Sequence, residues 1–278
     1  MNAAELLRSY GLSPKKSLGQ NFLVDQNSLE KIVKAGGVQP GDVILEIGPG
    51  LGGLTRLLAQ AARRVVAVEL DQNLLGPLGE VLAPFDNVTI IHGDILKLNP
   101  AALIRPHLSG AGDYLVIANI PYYITSALIR QLLESELPPR RIVLTVQREV
   151  AERICAAPPR MNLLGLSVQA YGQPSIAARI PAGAFYPPPK VDSAVVEIVR
   201  APEPLIPPGQ LELFFRLAKA GFSQKRKTIR NAVSAGMARD KDATDALLTR
   251  AGIDPQRRAE TLSLDEWRKL VNVWEAAA

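Results

Sequence analysis

Short apolar runs alternate with stretches of helical periodicity over the first 200 residues of the chain. The runs are rich in β-branched residues and continuous rather than alternating, which is typical of strands buried on both faces. Because helix-length segments separate them, they predict a doubly wound, mostly parallel sheet covered by helices. The predicted strands are Val43–Ile47, Val65–Leu70, Val88–Ile91, Tyr114–Ala118, Ile142–Gln147 and Ala194–Val199.

The rest of this region predicts shorter additions to the sheet. Ser167–Ile180 and the final strand are interpreted as partly antiparallel additions. Phe185–Lys190 contains three consecutive prolines, so it is predicted to be a loop rather than a helix interior or a central strand. The first ten residues predict an amphipathic helix and lack the apolar core of a signal peptide.

A proline-rich stretch at residues 201–209 predicts a linker between two domains. Residues 1–200 would form the larger domain and residues 210–278 a small, all-α domain. Ser263, with Glu266 three residues later, predicts a capping box at the start of the last helix. The predicted helices are Gln210–Ala220, Lys225–Ala238, Ala243–Ala251 and Leu264–Ala276.

The composition is that of an ordinary globular protein, with 47% hydrophobic and 21% charged residues. No apolar run approaches the roughly 20 residues that a membrane span requires. The single cysteine, Cys155, excludes an internal disulfide and fits a reducing compartment. A cytoplasmic location without a membrane partner is therefore expected.

The net charge of +5 suggests a polyanionic partner, and its distribution is more informative than its size. Residues 216–239 contain seven basic side chains and no acidic one. A solvated helix face is the simple interpretation of such a run, but such faces usually carry both signs of charge. Phosphate binding is therefore favoured. The basic residues are Arg216, Lys219, Lys225, Arg226, Lys227, Arg230 and Arg239.

A glycine-rich loop follows the first predicted strand and precedes a helix that starts near Leu54. Its sequence, Glu46-Ile-Gly-Pro-Gly-Leu-Gly-Gly53, lets the backbone approach a ligand closely. It also satisfies the Gly-x-Gly-x-x-Gly pattern, so a dinucleotide oxidoreductase stays an alternative. Two features argue against it. Pro49 removes a backbone N–H where a pyrophosphate would need donors, and the Glu46 carboxylate suits a cationic ligand better.

Acidic residues follow the next two strands. Glu69 ends the second strand, 21 residues after Gly48, where a carboxylate can bind both ribose hydroxyls of an adenosine cofactor. Asp94 follows the third strand and could accept a hydrogen bond from an adenine amino group, with Leu70 and Ile95 covering the ring. Each acid alone is more commonly a cap or a surface charge. Together with the glycine loop they border one crevice, which predicts an adenosine-containing ligand.

Asn119-Ile120-Pro121-Tyr122 follows the fourth strand and borders the same crevice. The motif could be an ordinary strand-to-helix turn, and its position beside the crevice argues against that. Asn119 and the Ile120 carbonyl can accept both hydrogens of an exocyclic amine, which favours a pyramidal nitrogen aimed at a methyl donor. Pro121 stiffens the turn, and Tyr122 would stack on the base, worth roughly 1–3 kcal/mol. If the ligand is S-adenosylmethionine, catalysis rests on positioning and electrostatics.

The histidines and the cysteine do not indicate a different reaction. His92 and His107 stand apart in the sequence and are interpreted as surface or structural residues. Cys155 is predicted on a helix face as a core residue, which argues against methylation through a cysteine adduct. No cluster of His, Cys and carboxylate has the spacing of metal ligands, so no metal is expected.

Ordered motifs extend over nearly the whole chain. They are Lys15–Leu23, Leu45–Gly52, Val68–Asp71, Gly93–Asp94, Asn119–Thr125, Gln147–Val150, Phe185–Ser193 and Lys225–Asn231. On these motifs the chain resembles the ribosomal RNA adenine N6,N6-dimethyltransferases, specifically the small-subunit enzymes. The resemblance implies a class I, Rossmann-like S-adenosylmethionine-dependent methyltransferase with a seven-stranded, mostly parallel sheet. It implies dimethylation of two adjacent adenosines in the 3′-terminal hairpin loop of 16S rRNA.

The resemblance also implies roles for particular residues. Residues 1–40 would cover the cofactor, with Asn21 and Leu23 closing over it. Phe185 would be a second aromatic ring at the target base, opposite Tyr122, although it could instead plug the proline-rich loop onto the core. The implied cofactor contacts are Asn21, Leu23, Gly48, Gly50, Glu69, Leu70, Asp94, Ile95 and Asn119.

The implied partner is 16S rRNA within the small ribosomal subunit or its late precursor, bound by a monomer. Two relatives stay as alternatives: the large-subunit adenine methyltransferases of macrolide resistance, and cofactor-binding factors without catalysis. Asp192 and the Lys225–Asn231 motif favour the small-subunit enzyme, and an intact Asn119–Tyr122 argues against a non-catalytic factor. The predicted RNA contacts are Lys225, Arg226, Lys227, Arg230 and Arg148.

Overall fold

The computed structural model describes residues 3–110 and 112–277, and the chain divides into two compact units. The first unit carries the sheet and the second is helical. The units are the chain up to Ala151 with Pro174–Arg200, and Glu152–Gln173 with the chain from Ala201.

This division differs from a single boundary at residues 201–209 in one segment, Glu152–Gln173. Met161 and Leu166 of this segment are buried in the hydrophobic cluster of the helical unit. The Met161 N–H also donates to the carbonyl of Glu260 at 2.9 Å. The chain therefore enters the helical unit, returns to complete the sheet, and enters it again.

In the described ranges, nine strands form a seven-stranded sheet and a separate strand pair. They are β1 (Phe22–Leu23), β2 (Val43–Ile47), β3 (Arg64–Glu69), β4 (Val88–His92), β5 (Leu115–Asn119), β6 (Arg141–Gln147), β7 (Gly172–Ile180), β8 (Phe185–Tyr186) and β9 (Ser193–Arg200). The order in the large sheet is β4-β3-β2-β5-β6-β9-β7.

The strand pairings confirm a mostly parallel, doubly wound sheet. The pairs β2–β3, β3–β4, β2–β5 and β5–β6 are parallel, whereas β9 runs antiparallel to β6. The chain passes from β2 outward to β4 and then crosses to β5 on the other side of β2. A crevice opens at such a switch point, at the carboxyl ends of the strands.

Twelve α-helices accompany the strands within the described residues. In that part of the chain no helix has both the length and the apolar character needed to cross a bilayer. The helices are α1 (Ala3–Ser9), α2 (Gln26–Gly36), α3 (Gly53–Ala61), α4 (Leu75–Leu82), α5 (Pro100–Ile104), α6 (Thr125–Leu133), α7 (Arg148–Ile154), α8 (Leu163–Gln169), α9 (Leu211–Phe222), α10 (Ile229–Gly236), α11 (Lys241–Arg250) and α12 (Leu264–Glu275).

The core of the first unit packs around the two central strands, β2 and β5. Ile44 of β2 and Leu115 and Ile117 of β5 are completely buried, and they pack with Ile32 of α2 and Leu58 of α3. These side chains come from continuous apolar strands and from the apolar faces of two amphipathic helices. The loops that follow β2 and β5 are thus held by a close-packed base.

Three predictions about local structure were wrong in part. Ser167–Ile180 was predicted to be extended from its first residue, but Ser167–Gln169 forms the end of helix α8 and β7 begins only at Gly172. Helix α8 is started by Asn162, whose side chain accepts from the Gly165 N–H at 3.0 Å. Helix α10 begins at Ile229 rather than Lys225, since Thr228 is its N-cap. Phe185–Tyr186 forms a strand with β1 before the prolines begin. The predicted capping box at Ser263 and Glu266 of α12 is confirmed.

Candidate active site

The carboxyl ends of β2, β3, β4 and β5 border one cavity in the first unit. Asn119, Ile120, Pro121 and Tyr122 line it, whereas Phe185 does not. Every residue predicted to contact the cofactor lines this cavity. These residues are Asn21, Leu23, Gly48, Gly50, Glu69, Leu70, Asp94, Ile95 and Asn119.

Three glycines with left-handed backbone make the turn between β2 and α3. Gly48, Gly50 and Gly52 have φ angles of 68°, 58° and 78°, a region that other residues rarely adopt. A β-carbon on Gly50 would lie 3.0 Å from Cδ1 of Phe22, so a side chain there would also press on the N-terminal segment. The loop therefore presents bare backbone to the cavity.

Glu69 joins the glycine loop to the end of β3. Its carboxylate accepts hydrogen bonds from the backbone N–H groups of Gly50 at 3.0 Å and Asp71 at 2.8 Å. Burial raises the pKa of Glu69, and these backbone N–H groups oppose the rise. A carboxylate has about four acceptor positions, so the side chain retains capacity for hydroxyl donors in the cavity.

Glu46 is the second buried acid of the site, and its Oε2 has no hydrogen-bond partner among the described residues. Burial raises its pKa to about 8, an interaction with the Thr55 hydroxyl opposes the rise, and the nearby negative charge of Glu69 adds to it. An unpaired acceptor that is shielded from water is costly unless a ligand satisfies it. Without a ligand the carboxyl is therefore protonated near neutral pH, and a cationic or hydrogen-bond-donating group beside Oε2 would favour its ionised form.

Replacing Glu46 by Gln is expected to flatten the pH dependence of the unfolding free energy. The folded protein retains a proton that the unfolded chain releases, because the folded pKa of about 8 exceeds the ordinary 4.5. This contribution is complete below pH about 4.5 and is lost as pH rises through about 8. Chemical denaturation across this range measures it, with exposed Glu30→Gln on α2 as control. Equal slopes for wild type and Glu46→Gln would contradict the prediction.

The Asn119 amide at the end of β5 has a defined orientation. Its Nδ2 donates to the backbone carbonyl of Asn21 at 3.3 Å. The amide oxygen is therefore the atom left to accept a hydrogen bond in the cavity. Ile120 is 3% exposed, and its carbonyl accepts no hydrogen bond from the described residues. Two acceptors thus lie next to each other along the chain.

Tyr122 is held by a partner that sequence reasoning missed. Its hydroxyl forms a 2.7 Å hydrogen bond with the hydroxyl of Ser193, which is fully buried at the start of β9. Burial raises the pKa of Tyr122, and the hydrogen bond with Ser193 opposes the rise. The two residues are 71 positions apart, so no local pattern could have identified the pair. The ring orientation is consequently constrained at both ends of the side chain.

Phe185 lies in the core of the first unit rather than in the cavity. It is 3% exposed and belongs to the hydrophobic cluster that contains Leu23, Ile180 and Val195. This is the packing role considered above as the alternative for a residue in a proline-rich loop. A contact between Phe185 and a target base stays a prediction that would require its ring to leave this cluster.

The Asp94 carboxylate uses part of its hydrogen-bonding capacity within its own turn. Its carboxylate accepts from the Leu96 N–H at 3.1 Å and lies 4.0 Å from the Lys97 ammonium. Ile95 is 4% exposed and Leu70 is 43% exposed, and both present apolar surface to the cavity. The arrangement suits a flat, partly apolar ring with an amino group at one edge.

The predicted RNA contacts differ in how available they are. Lys225, Arg226 and Lys227 are exposed in the turn between α9 and α10. Arg230 pairs with Asp245 at 3.7 Å, so part of its charge is neutralised. Arg148 is exposed at the start of α7. Three of the five candidates are therefore exposed cations within a single turn.

A mostly parallel seven-stranded sheet with an antiparallel strand inserted next to its edge strand, a glycine loop after β2 and an acid at the end of β3 is the arrangement of the class I S-adenosylmethionine-dependent methyltransferases. The family described as ribosomal RNA adenine dimethylase matches residues 11–276. The chain belongs to this family, which confirms both the predicted fold class and the resemblance.

Similar proteins agree with this assignment. The ribosomal RNA small subunit methyltransferase A of Dehalococcoides mccartyi (strain CBDB1) is 48% identical over 269 residues, 96% of this chain and 91% of that protein. The protein of the same name from Bacillus cytotoxicus is 41% identical over 273 residues, 96% of this chain and 94% of its own. The structure of 23S rRNA methyltransferase ErmE matches with a TM-score of 0.74 and 26% identity, covering 92% of this chain and all of that one.

Proposed function

We propose that this protein transfers methyl groups from S-adenosylmethionine to the N6 amino groups of adenines in small-subunit ribosomal RNA. The observation that carries the proposal is the orientation of the Asn119 amide. Because its nitrogen donates to the Asn21 carbonyl, its oxygen can accept an amino hydrogen of a base in the cavity. Membership of an adenine dimethylase family supports adenine as that base.

The groups around the cavity fit S-adenosylmethionine. Glu69 retains acceptor capacity for the ribose hydroxyls, and Leu70 and Ile95 offer apolar surface to the adenine. The unpaired Oε2 of Glu46 suits the ammonium group of the methionine moiety. When bound, the cofactor supplies an electrophilic methyl group on a sulfonium.

The residues of the Asn119–Tyr122 motif would activate the target by positioning. An adenine amino nitrogen is a weak nucleophile because its lone pair is delocalised into the ring. The Asn119 oxygen and the Ile120 carbonyl can each accept one amino hydrogen, which favours a pyramidal nitrogen. Tyr122, fixed by Ser193 at 2.7 Å, offers a stacking face. No strong base is needed, because the proton can leave after transfer.

The small-subunit substrate is favoured over the large-subunit alternative by the relatives. Those named for the small subunit are 41–48% identical to this chain, whereas ErmE, named for 23S rRNA, is 26% identical. We extend the proposal to two adjacent adenosines in the 3′-terminal hairpin loop of 16S rRNA, presented within the 30S subunit or a late precursor. We also propose that the protein acts as a monomer in the cytoplasm.

Transfer of labelled methyl groups to under-methylated small subunits tests the function directly. Label is expected on two adjacent adenosines, identified by nuclease mapping and mass spectrometry of the dimethylated bases. Label on large-subunit RNA instead would support the macrolide-resistance type. Cofactor binding without any incorporation would support a non-catalytic factor.

A thermal shift comparison separates the methyltransferase from the dinucleotide alternative. S-adenosylmethionine and S-adenosylhomocysteine at about 100 times their Kd are expected to stabilise the protein by about 2.7 kcal/mol. NAD at the same concentration is expected to leave the melting temperature unchanged. Stabilisation by NAD alone would reject the proposed cofactor.

Charge reversal at Lys225, Arg226 and Lys227 is expected to weaken binding to the small subunit and to flatten its salt dependence. Removing one ionic interaction with a phosphate lowers the slope of log K against log salt by about 1. Filter binding at several salt concentrations measures both quantities. The control reverses three exposed lysines elsewhere, Lys31, Lys34 and Lys241, with the same change in net charge. An unaltered slope in the first variant, or an equal change in the control, would count against the basic turn.

A further inference from the structure

Three residues connect the N-terminal segment to the end of β3. The Asp71 carboxylate accepts from the Lys15 ammonium at 2.7 Å and from the Gln20 amide nitrogen at 2.8 Å. The Gln20 amide oxygen in turn accepts from the Lys15 backbone N–H at 2.8 Å. Lys15, Gln20 and Asp71 together form a latch. They close a ring of hydrogen bonds between parts of the chain that are 51–56 positions apart.

The latch is connected to two residues of the site, Glu69 and Asn119. On one side, the Asp71 backbone N–H donates to Glu69, the acid placed at the cofactor ribose. On the other side, Gln20 precedes Asn21, whose carbonyl receives the Asn119 amide. The segment from Leu18 to Val24 lines the cavity. The latch therefore joins the wall that would cover the cofactor to both the ribose acid and the amide that orients the target base.

The burial of Asp71 gives the latch its strength. Its side chain is only 5% exposed, whereas the Lys15 side chain is 39% exposed. Removing Lys15 would leave this buried carboxylate without its opposite charge, and removing Gln20 would leave it with one donor fewer, and each loss costs more than the intact contact contributes. Lys15 and Gln20 are the two side-chain donors of the N-terminal segment to this carboxylate. Loss of either one should loosen the cavity wall rather than leave it in place.

We propose that Lys15, Gln20 and Asp71 are positioning residues for methyl transfer, which hold the Leu18–Val24 wall against the cofactor and keep the Asn119 amide oriented. The inference rests on the cofactor role proposed above. It predicts two separable defects when the latch is broken. Cofactor binding weakens because the wall is loose, and turnover at saturating cofactor falls because the Asn21 carbonyl no longer fixes Asn119.

Lys15→Met tests the latch, with Lys16→Met as the matched control, since Lys16 is the adjacent, exposed lysine. Lys15→Met is expected to raise the Kd for S-adenosylhomocysteine about tenfold, the loss expected for one charge-assisted hydrogen bond. Hydrogen exchange at residues 18–24 should accelerate, and turnover at saturating cofactor should fall while the KM for the small subunit stays constant. Gln20→Leu should behave alike, and Lys15→Arg should restore most of the affinity.

The outcomes separate the latch from the proposed function. If the wild-type protein does not bind S-adenosylhomocysteine, the proposed function fails first. If the wild type binds it and Lys15→Met matches Lys16→Met in affinity, exchange and turnover, the latch proposal is overturned. Equal slowing of both lysine variants would also overturn it, because it would reflect charge and not the contact with Asp71.

An independent feature of the rim is Tyr123, which follows the base-binding Tyr122. It lines the cavity and is 63% exposed, the most of any large hydrophobic residue in the described chain. One edge of its ring lies beside Gly19, where an added β-carbon would be 3.6 Å from Cε1 and 3.7 Å from Cδ1 of Tyr123. The rest of the ring faces solvent, directly beside the place proposed for the target base.

We infer that Tyr123 stacks on an unpaired base adjacent to the target adenine, an inference that also rests on the proposed function. A base flipped into the cavity leaves its neighbour unstacked, and an aromatic side chain can replace the missing stacking partner. The proposed substrate has two adjacent target adenines, so the neighbour would be held while the first is methylated. Tyr123 would then contribute to RNA affinity and not to cofactor binding.

Tyr123→Ala is expected to raise the KM for under-methylated small subunits about tenfold, the effect of losing one stacked base. Tyr123→Phe, which retains the ring, should remain near wild type, and the affinity of both variants for S-adenosylhomocysteine should not change. Equal KM values for the Ala and Phe variants would overturn the inference. A parallel loss of cofactor affinity in Tyr123→Ala would overturn it too, by assigning the residue to the cofactor wall. A wild type that methylates no small-subunit RNA would reject the proposed function instead.

Discussion

Asn119→Ala is expected to lose about 100-fold or more of its methyl transfer rate, the scale seen when one preorganised catalytic hydrogen-bonding group is removed. The reason is that the Asn119 oxygen is the side-chain acceptor proposed to orient the amino group of the base. Its amide nitrogen serves only the contact with the Asn21 carbonyl, at 3.3 Å. Affinity for S-adenosylhomocysteine should therefore change much less than turnover. Single-turnover incorporation of labelled methyl, together with calorimetry, measures the two effects separately.

Asn119→Asp provides the sharper control for this prediction. The carboxylate still offers an acceptor to the base, but it cannot donate to Asn21 and would repel that carbonyl. Its rate should lie between those of the wild type and Asn119→Ala. Wild-type turnover in Asn119→Ala on a small-subunit substrate would remove the assigned role. An Asp variant as fast as the wild type would show that the Asn21 contact does not orient the side chain.

Glu69→Ala is expected to weaken cofactor binding by about 100-fold, the value of roughly two hydrogen bonds to a charged acceptor. The substitution removes the acceptors proposed for the ribose hydroxyls. It also releases the Gly50 and Asp71 N–H groups, which lie 3.0 and 2.8 Å from the carboxylate. Since Glu69 is proposed to bind the cofactor and not the RNA, RNA affinity should stay constant. Calorimetry with S-adenosylhomocysteine and filter binding with small subunits measure the two affinities.

Two control variants help to interpret the result for Glu69→Ala. Glu69→Gln retains one acceptor oxygen and should lose less affinity than Glu69→Ala. Glu30→Ala removes an exposed acid on α2 and should bind the cofactor like the wild type. If Glu69→Ala keeps its calorimetric affinity, the ribose assignment is wrong. If its RNA affinity falls first, Glu69 would belong to the substrate side of the cavity.

The strands that position the site were predictable because their side chains are buried on both faces. The prediction for β2 matches its observed bounds, Val43–Ile47, and the predicted start of β3 differs by one residue. Continuous β-branched runs leave little freedom for another structure. The crevice followed from the same pattern, because parallel strands place their carboxyl ends at one edge. Glu69, Asp94 and Asn119 therefore line the cavity as expected.

Local sequence was a weaker guide where tertiary packing competes with it. Lys225–Thr228 has helical periodicity, yet the chain forms a turn there and starts α10 at Ile229, where Thr228 caps the helix. Phe185 sits in a motif that implied a contact with the base, yet its ring is 3% exposed in the core. Periodicity and motif position do not specify which neighbour competes for a side chain.

The sequence by itself determined the sheet, the glycine turn and the residue types at each strand end. These depend on hydrophobic period and on backbone preferences, which act within a few residues. Only the tertiary structure decided which way the Asn119 amide faces, that Ser193 holds Tyr122, and that Asp71 receives Lys15 and Gln20. Each of these is a hydrogen bond between residues more than 50 positions apart. Such contacts depend on the folded positions of both partners, and no local periodicity encodes them.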